Sequence, residues 1–382
     1  MKIVRLWPMG CLVAMGAGLG CGEGAADPAV GQTTTALASS KATKIESFVK
    51  QTNIVSGPEA NLAPKADPKL VNGWGVAFDA RTGLAWVSAA DSGTIEVLHA
   101  NGSVEKSVSM PAGFAPTGAV FNASRSFAGD DFIFASEDGS VAGVMRDQLA
   151  GTPRITGRPT GTNYKGLTIG TVNHQRMLFV ADFGDGTNDP GKVDVFDDAY
   201  QIQRTGHAFS DPDAPADFAP FNVMAVGNFL VVTYAKRSTE DAGDDQAGAG
   251  FGMVDLFNLE DGTLIKQLIP GGDGSQLNAP WGLALSFEHH ERGSVDLLVG
   301  NFGDGHINVY EVSLRSKEIR ADFEGALGNK KTRQPLEIEG LWGIAFGSGK
   351  AGFGADDLYF AAGPADESQG LFGELDFVGH RR

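Results

Sequence analysis

The chain is 382 residues long and carries 47 acidic against 30 basic side chains, a formal net charge of −17 at pH 7. A phosphate backbone demands the opposite sign, so nucleic acid is no partner for this chain, while cations, basic partners and neutral ligands stay open. Its two cysteines, Cys11 and Cys21, can build neither a disulfide framework nor a zinc cluster.

In chain order, Lys2 and Arg5 precede a short apolar stretch, Leu6 to Leu19. It is too short to span a bilayer comfortably, and residues 1–20 read as a secretory signal peptide. The stretch ends in Gly18-Leu19-Gly20-Cys21-Gly22, close to a lipobox, with Gly18 where an aliphatic residue is usual. Cys21 is the expected lipidation site, which would hold the mature chain to a membrane through acyl chains alone. Residues 21–45 are rich in Ala, Gly, Thr and Ser and are expected to form a flexible tether. The expected location is the cell envelope, as an outer-membrane or periplasmic lipoprotein, or outside the cell if Cys21 stays unmodified.

Residues 46–382 form the globular part. After two short apolar segments, Ser47-Phe48-Val49 and Thr52-Asn53-Ile54-Val55, three patterns recur six times in the same order. The first is a Gly with alternating small and apolar residues, as in Trp74-Gly75-Val76-Ala77-Phe78, Gly118-Ala119-Val120-Phe121, Gly166-Leu167-Thr168-Ile169, Trp281-Gly282-Leu283 and Trp342-Gly343-Ile344; the fourth copy has Asn222 in place of Gly. The second is a compact apolar run, from Ala85-Trp86-Val87-Ser88 in repeat one to Leu358-Tyr359-Phe360-Ala361 in repeat six. Such runs are buried strands. The third is a Gly opening a period-2 strand, at Gly93, Gly139, Gly191, Gly252, Gly305 and Gly370; clear copies are Ile95-Glu96-Val97-Leu98, Val193-Asp194-Val195-Phe196 and Val254-Asp255-Leu256-Phe257. The alternation suggests a strand whose two faces lie in different surroundings.

These glycines are 46, 52, 61, 53 and 65 residues apart, the spacing of four-stranded propeller blades. The expected fold is all-β, a six-bladed β-propeller. Repeat six has only three recognisable strands, so the N-terminal segment is expected to supply its outer strand and close the ring. The expected oligomeric state is a monomer.

In a propeller the loops between second and third strands share one face, and here all six are acidic. Glu137, Asp182, Asn301, Asp304 and Glu367 stand in them. Carboxylates and amide carbonyls at a channel rim are the donor set of a hard cation such as Ca²⁺, although Asp and Gly are also ordinary turn formers. The repeat-four loop is a longer insertion carrying Glu240, Asp241, Asp244 and Asp245. The loops entering the inner strands share this face and bring Asn72, Trp74, Asn222, Asn278, Trp281 and Trp342. They are candidate contacts for a carbohydrate or other amphipathic ligand, with the tryptophans equally suited to wedge between blades. Motifs of the HExxH, G-x-S-x-G and P-loop kinds are absent from the sequence.

Val71-Asn72-Gly73-Trp74-Gly75, Leu277-Asn278-Ala279-Pro280-Trp281-Gly282 and Val299-Gly300-Asn301-Phe302-Gly303-Asp304-Gly305 resemble segments of an uncharacterised family of exported bacterial propeller proteins, some with a C-terminal PEP-CTERM sorting signal. The resemblance implies a fold and an exported location, and it carries no agreed activity. Ser88-Ala89-Ala90-Asp91 lacks the Asp-Asn pair usual in that family. The leading expectation is a binding or scaffold module at the cell envelope, with a protein or carbohydrate ligand. The alternative is a divalent-metal-dependent hydrolase of the lactonase-like propeller type.

Overall fold

A computed structural model describes residues 43–59, 61–203, 209–286, 294–315 and 318–378. Cys21, the signal peptide and nearly all of the tether lie outside them. The regular secondary structure of the described residues is β-strand throughout, apart from one short 3-10 turn at Phe127–Gly129.

Each of repeats one to four is a four-stranded antiparallel sheet in simple sequence order. Repeat one, for example, uses Gly73–Phe78, Ala85–Ala89, Thr94–Leu98 and Val104–Ser109. Repeats five and six belong to one nine-stranded sheet because the N-terminal strand, Ile45–Ser56, runs between them. Along one edge it pairs antiparallel with Leu371–Phe377, Val49 facing Phe377 and Ser56 facing Leu371. Along the other it pairs in parallel with Glu318–Asn329, Val49 facing Asn329. The segment left without partners in the sequence thus completes repeat six, and it also ties that repeat to the outer strand of repeat five. Both edges of the strand find hydrogen-bond partners, which an open end would leave to solvent or to another chain.

The inner-strand pattern has a structural reason. In all six repeats the pairing of the first and second strands slips by a bulge at this pattern, between Gly73 and Val76, Pro116 and Ala119, Tyr164 and Leu167, Pro220 and Asn222, Pro280 and Gly282, and Leu341 and Ile344. A bulge bends the strand and re-aims its side chains. Here it brings the backbone against the next inner strand. A Cβ on Gly75 would stand 2.6 Å from the Thr117 carbonyl oxygen, and one on Gly343 would stand 2.4 Å from that of Trp74. The second contact joins repeat six to repeat one.

Apolar clusters fill the spaces between consecutive repeats. Trp86, Ile95 and Val97 of repeat one pack on Phe132 and Phe134 of repeat two, and Leu98 of repeat one packs on Tyr359 and Phe372 of repeat six. Because neighbouring sheets cover both faces, Thr94–Leu98 is buried at every position. The two faces meet different neighbours, and the polar residue three past the opening glycine is buried between repeats. Glu96, Asp194, Asp255 and Asn308 are all buried there.

Candidate site at the channel mouth

The bulged ends of the inner strands aim their aromatic side chains at one another. Trp74 and Trp342 stack with centroids 3.6 Å apart, and Trp281 meets both edge-on at 5.8 and 5.9 Å. Phe302 covers Trp342 at 3.9 Å, Phe221 approaches its edge at 5.8 Å, and Phe183 lies 5.2 Å from Phe221. Five repeats contribute to this layer, and its edge-on contacts are an arrangement that ring quadrupoles favour.

The amides expected to face a ligand brace this layer instead. Asn72 accepts a bond from Trp74 Nε1 at 2.9 Å, and Asn222 Nδ2 donates to the Trp281 carbonyl at 2.7 Å. Asn278 accepts from the Gly248 amide at 2.7 Å and donates to Asp304 at 3.1 Å. Asn72, Trp74, Asn222, Asn278, Trp281 and Trp342 are therefore gathered together, and all six are buried.

The five candidate cation ligands divide into three places. Asp182 is buried in repeat three, where Lys192 Nζ reaches Oδ2 at 2.8 Å and the amides of Asn163 and Gly184 reach Oδ1 at 2.8 and 3.0 Å. Burial pushes its carboxyl up to about 6 against the pull of Lys192. Asn301 and Asp304 stay together in repeat five, joined by an Nδ2–Oδ1 bond of 3.1 Å. Burial raises Asp304, but its bonds to His306 and Asn301 outweigh that and hold it below the usual carboxylate value.

Glu137 and Glu367 meet a third carboxyl, Asp245, around Lys165. Lys165 is buried, forms an ion pair with Glu137, and lies 5.3 Å from the Trp74 ring and 5.8 Å from that of Phe183. Burial disfavours its charge, but Glu137, Asp244 and Asp245 more than restore it. Glu367 accepts a bond from Trp342 Nε1 at 3.1 Å; burial first, then the charges of Glu137 and Asp245, raise it to about 7 against the pull of Lys165. Asp245 is raised to about 7, mainly by burial, with Asp244 adding and Lys165 opposing. Asn163 Nδ2 donates to the Gly243 carbonyl at 2.8 Å, which ties the repeat-four insertion to repeat three beside Lys165.

This arrangement holds two carboxyls that change charge near neutrality, from repeats four and six, over one fixed ammonium. Glu137, Asp245 and Glu367 are half-buried, so the cluster reaches solvent. Among the described residues, no three His, Cys, Asp or Glu side chains are grouped so as to hold a metal ion. Sequence reasoning named Asp245 only among the acidic residues of the repeat-four insertion and did not single out Lys165. The available signal was that Lys165 is the one charged residue in the six loops entering the inner strands.

No family model matches the chain. It is 27% identical over 353 residues to an uncharacterised protein of Acanthamoeba polyphaga mimivirus, covering 85% of this chain and 79% of that protein. A second uncharacterised protein of the same virus is 28% identical over 341 residues, covering 82% of each. These relatives overturn the resemblance to exported bacterial propeller proteins. Among solved structures, a luciferin-regenerating enzyme is similar at 13% identity, with 87% of this chain and 96% of that one covered and a TM-score of 0.51. A gluconolactonase from Xanthomonas campestris is 14% identical, covering 81% and 87% at a TM-score of 0.49. The fold is a β-propeller. At such identities the likeness is one of fold, and the propeller's activity has to be argued from its own side chains.

Proposed function

We propose that this propeller has six blades and acts on a small molecule at its channel mouth by acid–base hydrolysis, with Glu367 and Asp245 as the proton-carrying pair. The blade count rests on the six bulged inner strands and on the contact of Gly343 with the Trp74 backbone. The observation that carries the activity is the buried Lys165 paired with Glu137, beside Glu367 bonded to Trp342, where burial raises Glu367 and Asp245 to about 7. A general acid and base work best with pKa values near the operating pH, and two carboxyls facing one field divide the protonated and ionised roles between them. Trp342 orients Glu367, and Lys165, too deeply buried to contact a large substrate, fixes the charge beneath them.

A divalent cation at this mouth would have to take Glu137 from Lys165, Asp182 from Lys192 and Asp304 from its amide and imidazole donors. The donor set does not fit one ion, and no step is routed through a metal. The surplus of acidic side chains favours neutral or cationic substrates over anionic ones, and small lactones and carboxylic esters are the class to test. The compactness of the cluster favours a small molecule over a broad protein surface.

The deciding experiment is a hydrolysis screen of neutral lactones and aryl esters, followed by Glu367→Gln. The expected result is a fall in kcat of about 100-fold or more with a little-changed KM, and a wild-type pH–rate profile that bends between about pH 6 and 8. Turnover that survives Glu367→Gln and Asp245→Asn together would sink the assignment.

A further inference from the structure

Away from the channel mouth, a second polar cluster lies where repeat six meets repeat one. Glu96 stands on Thr94–Leu98, three residues past Gly93, and is fully buried. Its Oε2 accepts the Ser107 hydroxyl at 2.5 Å, while Oε1 is buried and has no hydrogen-bond partner among the described residues. Asp67 comes from the chain just after the short strand Lys65–Ala66, which pairs in parallel with the end of the N-terminal strand. Its amide donates to the Ser56 carbonyl at 2.9 Å and its Oδ1 accepts the Lys69 amide at 3.0 Å. Asp67 is 4% exposed, and its Oδ2 is buried without a partner. Thr94 Oγ1 is the third such oxygen, and Ser56 Oγ, on the adjoining strand end, is likewise buried and unpartnered.

The placement follows from the register. Thr94 and Glu96 project from the face of repeat one that packs on repeat six, opposite Ala89 and Val87 of the second strand. Burial pushes the Glu96 carboxyl up and the Asp67 charge adds to that, while the bond from the Ser107 hydroxyl pulls it down. The ammonium acting on it belongs to Lys69, an exposed residue. Two carboxylates are thus confined with no buried cation of their own, unlike Asp182 with Lys192 or Glu137 with Lys165. Unpaired buried charge of this kind is costly, and the buried polar atoms here that lack a partner are carboxylate and hydroxyl oxygens.

We propose that this seam is a binding site for a divalent hard cation of the calcium class, held by Glu96, Asp67 and Thr94 between the first and last repeats. Two carboxylates balance a double charge, and Ca²⁺ completes its shell readily with hydroxyls, carbonyls and water. The ion would bind only the closed ring, because Asp67 is held by the pairing of Lys65–Ala66 with the N-terminal strand and by its amide's bond to Ser56. It would therefore act as a clasp on the closure, independent of the chemistry at the channel mouth.

The test uses the full chain, stripped with a chelator and titrated with calcium chloride by calorimetry and by thermal unfolding. One equivalent is expected to bind, with a rise in unfolding midpoint of about 5 °C at a hundredfold excess over Kd. Glu96→Gln and Asp67→Asn should each abolish the rise, and Glu367→Gln, at the channel mouth, should keep it. No binding heat and an unmoved midpoint in the wild-type chain at millimolar calcium would overturn the proposal, whether or not the variants fold. So would a rise that persists in both seam variants. An unfolding midpoint that rises on acidification and ignores calcium would overturn it too.

Discussion

Blades three and four build the same position and neutralise it in different ways. Asp194 and Asp255 each lie three residues past the glycine that opens the third strand, opposite Val180 and Val232 of the second. In blade three the chain before the inner strand delivers Arg158. Its guanidinium reaches Asp194 at 2.7 Å and the Tyr164 hydroxyl at 2.9 Å, and that hydroxyl donates to the same carboxylate at 2.6 Å. In blade four the corresponding chain delivers Asp211. Burial, then the Asp211 charge and its hydrogen bond, raise Asp255 to about 8, with Tyr234 pulling the other way. One blade holds an ion pair at that point and its neighbour holds a proton. The strand sets the position, and the connection between blades sets the charge state.

The largest expected effect tests the proton in blade four. Asp255 has a folded value of about 8 against an ordinary 3.8, so between those values the folded chain keeps a proton that the unfolded chain has released. That stabilisation is complete below about pH 4 and lost as pH rises to about 8, a difference of up to about 5 kcal/mol. Denaturant unfolding at pH 5 and pH 9 should show the loss, and Asp255→Asn, neutral throughout, should flatten it. An equal slope in the variant would mean that the two blades do not differ as described.

The ion pair of blade three should respond to a different change. Arg158→Met leaves Asp194 buried beside a single hydroxyl and should cost about 3 kcal/mol at pH 7, read as a lower denaturant midpoint at unchanged slope. Tyr164→Phe removes one bond to a charged acceptor while Arg158 remains, and should cost about 2 kcal/mol in the same assay. If it cost as much as Arg158→Met, the hydroxyl and not the guanidinium would be the main partner of Asp194.

Much of the architecture was legible before the structure. The recurring Gly, the apolar run and the Gly-led strand each mark a real strand, because a bulged inner strand needs glycine and a doubly covered second strand needs uninterrupted apolar residues. The unpaired N-terminal segment could be assigned to repeat six by counting strands, although its parallel contact with Glu318–Asn329 had no local signal. The site was less legible. Glu137 and Glu367 were visible as acidic loop residues, yet so were Asp182 and Asp304, which the fold sends to Lys192 and to Asn278. Alternation around Glu96, Asp194 and Asp255 left open what each face meets, since a two-residue period looks the same whether the second face meets water or another sheet.

The sequence by itself determined the repeat, its strands and the surplus of carboxylates, because those depend on local periodicity and composition. Only the tertiary structure decided which carboxylates meet Lys165, which meet an arginine, and which face one another without a cation. Those pairings join residues from different blades, such as Asp245 with Glu367, or from chain segments brought side by side only when the ring closes, such as Asp67 with Glu96. Ring closure sets their separations, and the low dielectric between packed sheets then fixes their charge.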